Sequence, residues 1–286
     1  MDKMKKHLTS LPFPVHPGYG KEEIKKSQNV VLEMGVIVCS ILEKNNIPYI
    51  ITNGTLVGAA LYEIFVPWDD DFDLFLFDET YDQAMQCLEA ELPNHLIVHS
   101  EKNDPKYFPA WNRVKNINTI AKDSGLYNPD NRLLKYPCLS VDLYRMKKIC
   151  ISDLGNYKTS EALAFFARKF RAGIIDEMKY KSEIQLILEQ QKTQEKNNSP
   201  VESLSKEEVY MFMVMLKKPL RNQDLFPLVR YNFEGHNFWG PQSSSALLTS
   251  LYGVNYKNIP EYEQRNTRFS SVVFSDKPLI EIGANI

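Results

Sequence analysis

The 286-residue sequence contains no apolar run long enough to span a membrane, and no apolar segment follows its early lysines as in a secretory signal. Its four cysteines, Cys39, Cys87, Cys138 and Cys150, form no C-x-x-C pair and have no histidine partners at zinc-finger spacing. The formal net charge of −2 provides no global basic field for nucleic acid. We therefore expect a soluble, cytoplasmic protein with reduced thiols, no transmembrane segment and no nucleic-acid partner.

The order of predicted elements indicates an α+β protein with a mixed sheet core flanked by helices. Pro- and Gly-rich residues 1–20 predict an extended arm, and residues 21–157 alternate amphipathic helices with short β-branched strands. Residues 158–286 begin with long helical patterns, and we expect this helical half to pack on the core. Ser205 and Glu208 have the spacing of a capping box, which predicts a further helix starting there.

Four aspartates, Asp69, Asp70, Asp71 and Asp73, lie within five residues and lead directly into the apolar segment FDLFLF. A solvated loop is the simplest interpretation of an acidic run, but such a loop rarely enters a buried strand at once. A calcium loop is excluded, because Leu74 and Thr80 stand where an EF-hand requires Gly and Glu. A magnesium site is the remaining alternative.

Strand alternation would place Asp71 and Asp73 on one face of a sheet. Asp142, an acid within the apolar segment LSVDLY, is a candidate third ligand, although a hydrogen-bonded structural acid is the alternative. Gly54 and Thr55 occupy a predicted strand-to-helix turn, where backbone N–H groups and a hydroxyl can contact phosphate. An ordinary turn glycine is the simpler interpretation of that pair taken alone.

Together these segments resemble the LicD family, which includes fukutin and fukutin-related protein. The family pattern G-T-L-L-G-A, a short spacer and P-W-D-D-D-x-D corresponds to residues 54–59 and 67–73. SVDLYRM is similar to a later family strand, which places Asp142 at the third acidic position. Pro241, Tyr252-Gly253 and Pro260 are similar to the closing region, so that the resemblance extends over about residues 28–262.

The resemblance implies a nucleotidyltransferase-like fold and a phosphotransferase. Members transfer phosphocholine or an alditol or glycerol phosphate from a CDP-linked donor to a glycan or glycolipid precursor. On this basis Asp71, Asp73 and Asp142 are expected to bind Mg²⁺, with Mn²⁺ as an alternative. Asp69 is expected to be a further ligand, an outer group or a base for the acceptor hydroxyl. Gly54 and Thr55 are expected to hold the donor phosphate.

One departure from the family pattern concerns the spacer. Many relatives have a basic pair there, whereas this sequence has Leu61, Tyr62 and Glu63. Arg113 and Lys115, on one face of a predicted strand, are candidates to replace those charges at the phosphate, and a solvated basic residue is the alternative for each.

Other functions and sites stay open at the sequence level. A nucleotidyltransferase that uses an NTP and a degenerate, non-catalytic family member are the alternative functions. Trp239 and Tyr252 are candidates for an acceptor groove, although a core position is the simpler interpretation of both.

Overall fold

The computed structural model describes residues 2–126, 128–197, 206–212 and 215–280. The helices are α1 (Asp2–Ser10), α2 (Lys21–Lys44), α3 (Asn53–Leu61), α4 (Asp78–Glu91), α5 (Leu154–Arg171), α6 (Glu177–Asn197), α7 (Asn222–Leu225) and α8 (Ser244–Tyr252). The strands are β1 (Tyr49–Ile51), β2 (Phe72–Phe77), β3 (Leu96–His99), β4 (Asn112–Asn116), β5 (Thr119–Asp123), β6 (Ser140–Cys150), β7 (Glu208–Met211), β8 (Leu220–Arg221), β9 (Val229–Phe233), β10 (His236–Gly240) and β11 (Phe269–Phe274).

A mixed sheet with the strand order β1-β2-β6-β4-β3 forms the centre of the fold. β2 runs parallel to β6 and antiparallel to β1, and all six of its residues are buried. This burial agrees with the expectation that an apolar segment such as FDLFLF is a central strand. The second half of β6 pairs with β7, which in turn pairs with β8. β9 with β10 and β5 with β11 form two separate antiparallel pairs.

Helices α2 and α4 contact each other and both contact β2 and β6, so they cover one face of the sheet. The apolar positions that predicted α2, among them Val31, Met34 and Val38, are buried. A Cβ atom at Gly35 of α2 would lie 2.9 Å from the Phe72 ring, which shows that Phe72 faces this helix layer. Because side chains alternate along a strand, Asp73 projects from the opposite face.

The predicted α+β class with a mixed sheet flanked by helices is confirmed. Residues 158–286 contain most of α5 together with α6, α7 and α8, but they also contribute strands β7 to β11, which the sequence patterns did not indicate. The division into an arm, a core and a carboxy-terminal region stays a prediction. The four cysteines are free, and none of the helices in the described part of the chain has the length and apolarity to cross a membrane.

Two local predictions are wrong. Residues 2–10 are helical rather than an extended arm, because Leu8 of α1 packs into the core together with Phe13 and Tyr19 from the following segment. Glu208–Met211 is a strand rather than the start of a helix, since it pairs with β6. A short apolar run such as this one is compatible with either a helix or a strand, and here pairing with β6 makes it a strand. Ser205, the other residue of the predicted capping box, lies outside the described residues.

Candidate active site

The parallel pairing of β2 with β6 places two of the predicted metal ligands side by side. Asp73 of β2 is in register with Asp142 of β6, and directly paired residues project from the same face of a sheet. Asp71 lies immediately before β2. One carboxylate oxygen each from Asp71, Asp73 and Asp142 lies within 4.8 Å of the other two. The structure thus brings together the three acids that the sequence singled out, in an arrangement that could hold a metal ion.

Two arginines balance part of this negative charge. Arg268, just before β11, places Nη1 2.7 Å from Asp71 Oδ2 and 3.2 Å from Asp142 Oδ2. Arg113 of β4 places Nε 3.1 Å from Asp142 Oδ1. Burial alone would raise the pKa of Asp142, but the guanidinium groups of Arg268 and Arg113 hold that pKa below the usual carboxyl range. Asp142 is therefore a stable anion between two cations.

Aromatic side chains donate hydrogen bonds to the two acids that lie on strands. The Tyr144 hydroxyl lies 3.1 Å from Asp73 Oδ1 and 3.3 Å from Asp142 Oδ2. Trp111 Nε1 donates to Asp142 Oδ2 at 3.3 Å. Tyr144 follows Asp142 by two residues on β6 and therefore lies on the same face. These contacts restrict the carboxylate rotamers at the centre of the cluster.

The cluster contains more carboxylates than cationic partners. Burial, followed by the charge of Asp71, raises the pKa values of Asp69 and Asp73 well above the ordinary carboxyl range. Asp69 Oδ2 is buried and makes no hydrogen bond to any described residue. When Asp69, Asp71, Asp73 and Asp142 are all ionised, the two arginines leave two negative charges uncompensated, which is the charge that one divalent cation neutralises. Hard oxygen donors in this number fit a divalent cation.

Asp70 has a different role from its neighbours. Its carboxylate is buried and accepts hydrogen bonds from Arg268 N at 2.7 Å, Phe269 N at 3.1 Å and the Tyr19 hydroxyl at 2.9 Å. Burial, followed by the charge of Asp71, raises the pKa of Asp70 to about 7, although these hydrogen bonds oppose the shift. Asp70 lines neither cavity described below. It anchors the backbone that carries Arg268, and so positions that arginine over the acids.

Gly54 and Thr55 lie in the first turn of α3, beside the acids, but their roles differ. A Cβ atom at Gly54 would lie 2.1 Å from Asp69 Oδ2, so only glycine lets this carboxylate lie against the helix. The Thr55 hydroxyl accepts a hydrogen bond from Asp73 N at 3.0 Å and is fully buried. Thr55 therefore fixes the start of β2 in this structure, and its expected contact with phosphate stays a prediction.

Of the two basic residues expected to replace the missing spacer charges, only Arg113 lines the cavity at the acids. Lys115 is buried and donates a hydrogen bond to the Cys138 carbonyl at 2.9 Å. Burial, together with the nearby arginines, lowers the pKa of Lys115 to about 7. Its expected phosphate contact stays a prediction. Glu63 of the spacer forms an ion pair of 2.9 Å with Lys5 and does not line the cavity.

The cavity at the acids, here called the acid cavity, has a volume of about 630 Å³. Asp69, Asp71, Asp73 and Asp142 lie in its wall with both arginines. Aromatic side chains line it as well, namely Phe108, Trp111, Tyr144, Phe165 and Phe166. A charged end beside aromatic surface suits a ligand with a phosphorylated part and an apolar or planar part.

Sequence reasoning missed Arg268, Asp70, Trp111 and Tyr144. Arg268 directly precedes the apolar segment FSSVVF, but 197 residues separate it from Asp71 and 126 from Asp142. No local pattern links positions that far apart. A tyrosine two residues after Asp142 was the one local signal available, since alternation along β6 puts it on the acid's face.

Comparison with known proteins supports the resemblance to the LicD family that the sequence motifs indicate. Residues 46–127 match the family described as LicD/FKTN/FKRP, nucleotidyltransferase domain. The chain is 30% identical to an uncharacterized protein of Rickettsia prowazekii, over 36% of this chain and 45% of that protein. It is 29% identical to the lipopolysaccharide cholinephosphotransferase LicD of Haemophilus influenzae, over 29% of this chain and 31% of that protein. The chain thus spans less than half the length of either curated relative.

Proposed function

We propose that this protein, whose residues 46–127 belong to the LicD family, transfers a phosphorylated small alcohol from a CDP-linked donor to a glycan or glycolipid precursor. The alcohol phosphate would be phosphocholine or an alditol or glycerol phosphate. The proposal rests mainly on one observation. Three acids and two arginines lie together in the wall of the acid cavity, namely Asp71, Asp73, Asp142, Arg113 and Arg268. The name of the cholinephosphotransferase relative supports the reaction class.

In this proposal the two arginines bind the donor's diphosphate. Their guanidinium groups face the same cavity, and each can donate paired hydrogen bonds to phosphate oxygens. Asp71, Asp73 and Asp142 would hold Mg²⁺ or Mn²⁺, and such an ion when bound supplies charge neutralisation at the diphosphate. Gly54 lets the Asp69 carboxylate lie against α3 at the edge of this site.

The transfer is a substitution at phosphorus. The acceptor hydroxyl oxygen attacks the phosphorus that carries the small alcohol, and a new P–O bond forms. The bond from this phosphorus to the bridging oxygen breaks, and CMP leaves with the electron pair. We assign Asp69 as the group that takes the hydroxyl proton. Burial and the neighbouring charge of Asp71 raise the pKa of Asp69, which makes its carboxylate a stronger base than an ordinary one.

The test is turnover of CDP-choline, CDP-ribitol and CDP-glycerol with Mg²⁺ and a panel of glycan acceptors, followed by mass analysis of the product. Asp71→Asn should lower turnover by at least about a hundredfold, because it removes a charge from the proposed metal and phosphate site. The matched control is Asp82→Asn, since Asp82 is exposed on α4 and lines neither cavity. Circular dichroism should show the same fold for both variants.

The product distinguishes the alternatives. Transfer of the alcohol phosphate with release of CMP supports the proposal. Attachment of the nucleotidyl group to the acceptor would instead identify a nucleotidyltransferase. If calorimetry detected no binding of Mg²⁺ or of any donor, the chain would be a non-catalytic member of its family. Full activity of Asp71→Asn would refute the assignment of this acid.

A further inference from the structure

A second cavity adjoins the acid cavity. It has a volume of about 560 Å³ and is bounded largely by residues 252–266, together with α3 and the segment that leads to β2. Gly54, Asp69 and Tyr252 line both cavities. The two spaces therefore meet at the edge of the acidic cluster, where Asp69 forms part of each wall. A molecule in the second cavity would lie next to a donor held in the first.

Amide side chains are frequent in the lining of the second cavity. We call this cavity the amide cavity after Asn255, Asn258, Gln264 and Asn266. The side chains of Asn255, Asn258 and Gln264 make no hydrogen bond within the described residues, so their donors and acceptors are available to a ligand. Tyrosine and tryptophan rings provide further surface, and no described lysine or arginine lines the space. This chemistry contrasts with the arginines of the acid cavity.

We propose that the amide cavity binds the acceptor sugar of the transfer reaction. Amides can donate and accept hydrogen bonds, as hydroxyl-rich rings require, and aromatic faces pack against the C–H faces of sugars. A nucleotide diphosphate does not fit, because no described cation faces this space and Asp69 and Glu261 are both acidic. The assignment of the bound sugar as acceptor rests on the proposed function.

The competing occupant is the quaternary ammonium group of a choline donor, since tyrosines and Glu261 could surround a cation. Trp68 argues against this occupant. Its ring already faces the Arg265 guanidinium, whose carbon lies 5.5 Å from the ring centroid, and the Phe13 ring at 6.0 Å. Because Trp68 is only 8% exposed and already contacts Arg265 and Phe13, its ring is not available to enclose an ammonium ion. The amides, which an ammonium cage does not need, therefore favour the sugar.

The test measures sugar binding and donor binding separately on the full chain. Methyl β-glycosides of glucose, galactose and N-acetylglucosamine are titrated by saturation-transfer NMR, and CDP-choline, CDP-ribitol and CDP-glycerol with Mg²⁺ are titrated by calorimetry. The double variant Asn258→Ala/Gln264→Ala removes two amides whose side chains make no hydrogen bond within the described residues. The matched control is Asn232→Ala, which removes an exposed amide of β9 that lines neither cavity.

We expect at least one glycoside to bind and the double variant to weaken its binding about tenfold, the effect of two lost hydrogen bonds. The control should bind sugar normally, and all variants should bind the donor normally. Failure of every glycoside to bind, equal binding to the double variant, or weaker donor binding by the double variant would each overturn the inference. Sugar binding as expected without any donor binding would refute the proposed function while supporting the sugar site.

Discussion

The most informative single change is Tyr19→Phe, because Tyr19 links three distant parts of the chain. Its hydroxyl donates to Asp70 Oδ2 at 2.9 Å, and Asp70 in turn accepts from the backbone of Arg268 and Phe269. The same hydroxyl lies 3.0 Å from Ser27 Oγ of α2. Tyr19 is 0% exposed and Asp70 is 1% exposed, so water cannot replace the lost donor. The variant removes one hydroxyl and leaves the ring in place.

A hydrogen bond to a charged group contributes about 1.5–3 kcal/mol to stability. Asp70 would retain its two backbone donors, so its carboxylate would not be left without a partner. We therefore expect Tyr19→Phe to lower the free energy of unfolding by about 2 kcal/mol. Because the pKa of Asp70 is raised to about 7, this carboxyl is more ionised at pH 8 than at pH 6. The loss should accordingly be larger at pH 8, where the acceptor is charged.

The measurement is urea unfolding followed by tryptophan fluorescence at both pH values. Tyr62→Phe is the matched control, because Tyr62 is also buried and its hydroxyl makes no hydrogen bond within the described residues. It should change stability by less than about 0.5 kcal/mol. A double-mutant cycle of Tyr19→Phe with Asp70→Asn isolates the interaction. The reasoning is refuted if both tyrosine variants unfold at the same urea concentration, or if the coupling energy in the cycle is zero.

Two further predictions concern Gly54 and His99. Gly54→Ala should reduce turnover roughly 10- to 100-fold with little loss of stability, because the new Cβ displaces the Asp69 carboxylate. Gly58→Ala should instead lower the free energy of unfolding by about 1–3 kcal/mol, since its Cβ would lie 2.5 Å from the Ile64 backbone oxygen. Urea midpoints and kcat values measured for both variants distinguish a loss of stability from a loss of turnover. A stability loss in Gly54→Ala with a turnover loss in Gly58→Ala would contradict both assignments. Burial outweighs the hydrogen bond to Asp104 and lowers the pKa of His99 to about 4. Below about pH 6.5 the unfolded chain therefore binds more protons than the folded protein, and the free energy of unfolding falls as the pH falls. The wild type should lose about 2 kcal/mol more than His99→Gln between pH 7.5 and pH 5 by urea unfolding, and equal losses would refute the buried neutral imidazole.

The acids could be located from the sequence because the residue types that identify them lie together in short segments. An apolar run with a single acid defines β2, and the alternation of a strand fixes the face on which Asp73 projects. The same reasoning identified Asp142 in β6, and parallel register then placed these acids side by side. Gly54 was predicted as a turn residue with a phosphate role, and the structure adds its close approach to Asp69. The identification of these residues depended on neighbours within a few positions, whereas their meeting in space depends on the fold.

Other features depended on pairing between distant segments. The local pattern at Glu208–Met211 is compatible with a helix, but this segment forms a strand because it pairs with the second half of β6. Asp70 could not be distinguished from Asp71 by sequence, because its separate role comes from backbone N–H groups at residues 268 and 269. The charge of Arg268 reaches Asp71 through the pairing of β11 with β5 and through the hydrogen bonds that Asp70 accepts from residues 268 and 269.

The sequence by itself thus determined where an offsetting charge is needed, since clustered acids ahead of a buried strand require a cation or a proton. The tertiary structure decided which cations are present and what lies beside the acids. Arg268 rather than Lys115 lines the acid cavity, because strand pairing buries the lysine and brings the distant arginine to Asp71. The amide cavity likewise exists only where residues 252–266 close over α3. Contacts of this range are set by packing of the whole chain, and no local pattern records them.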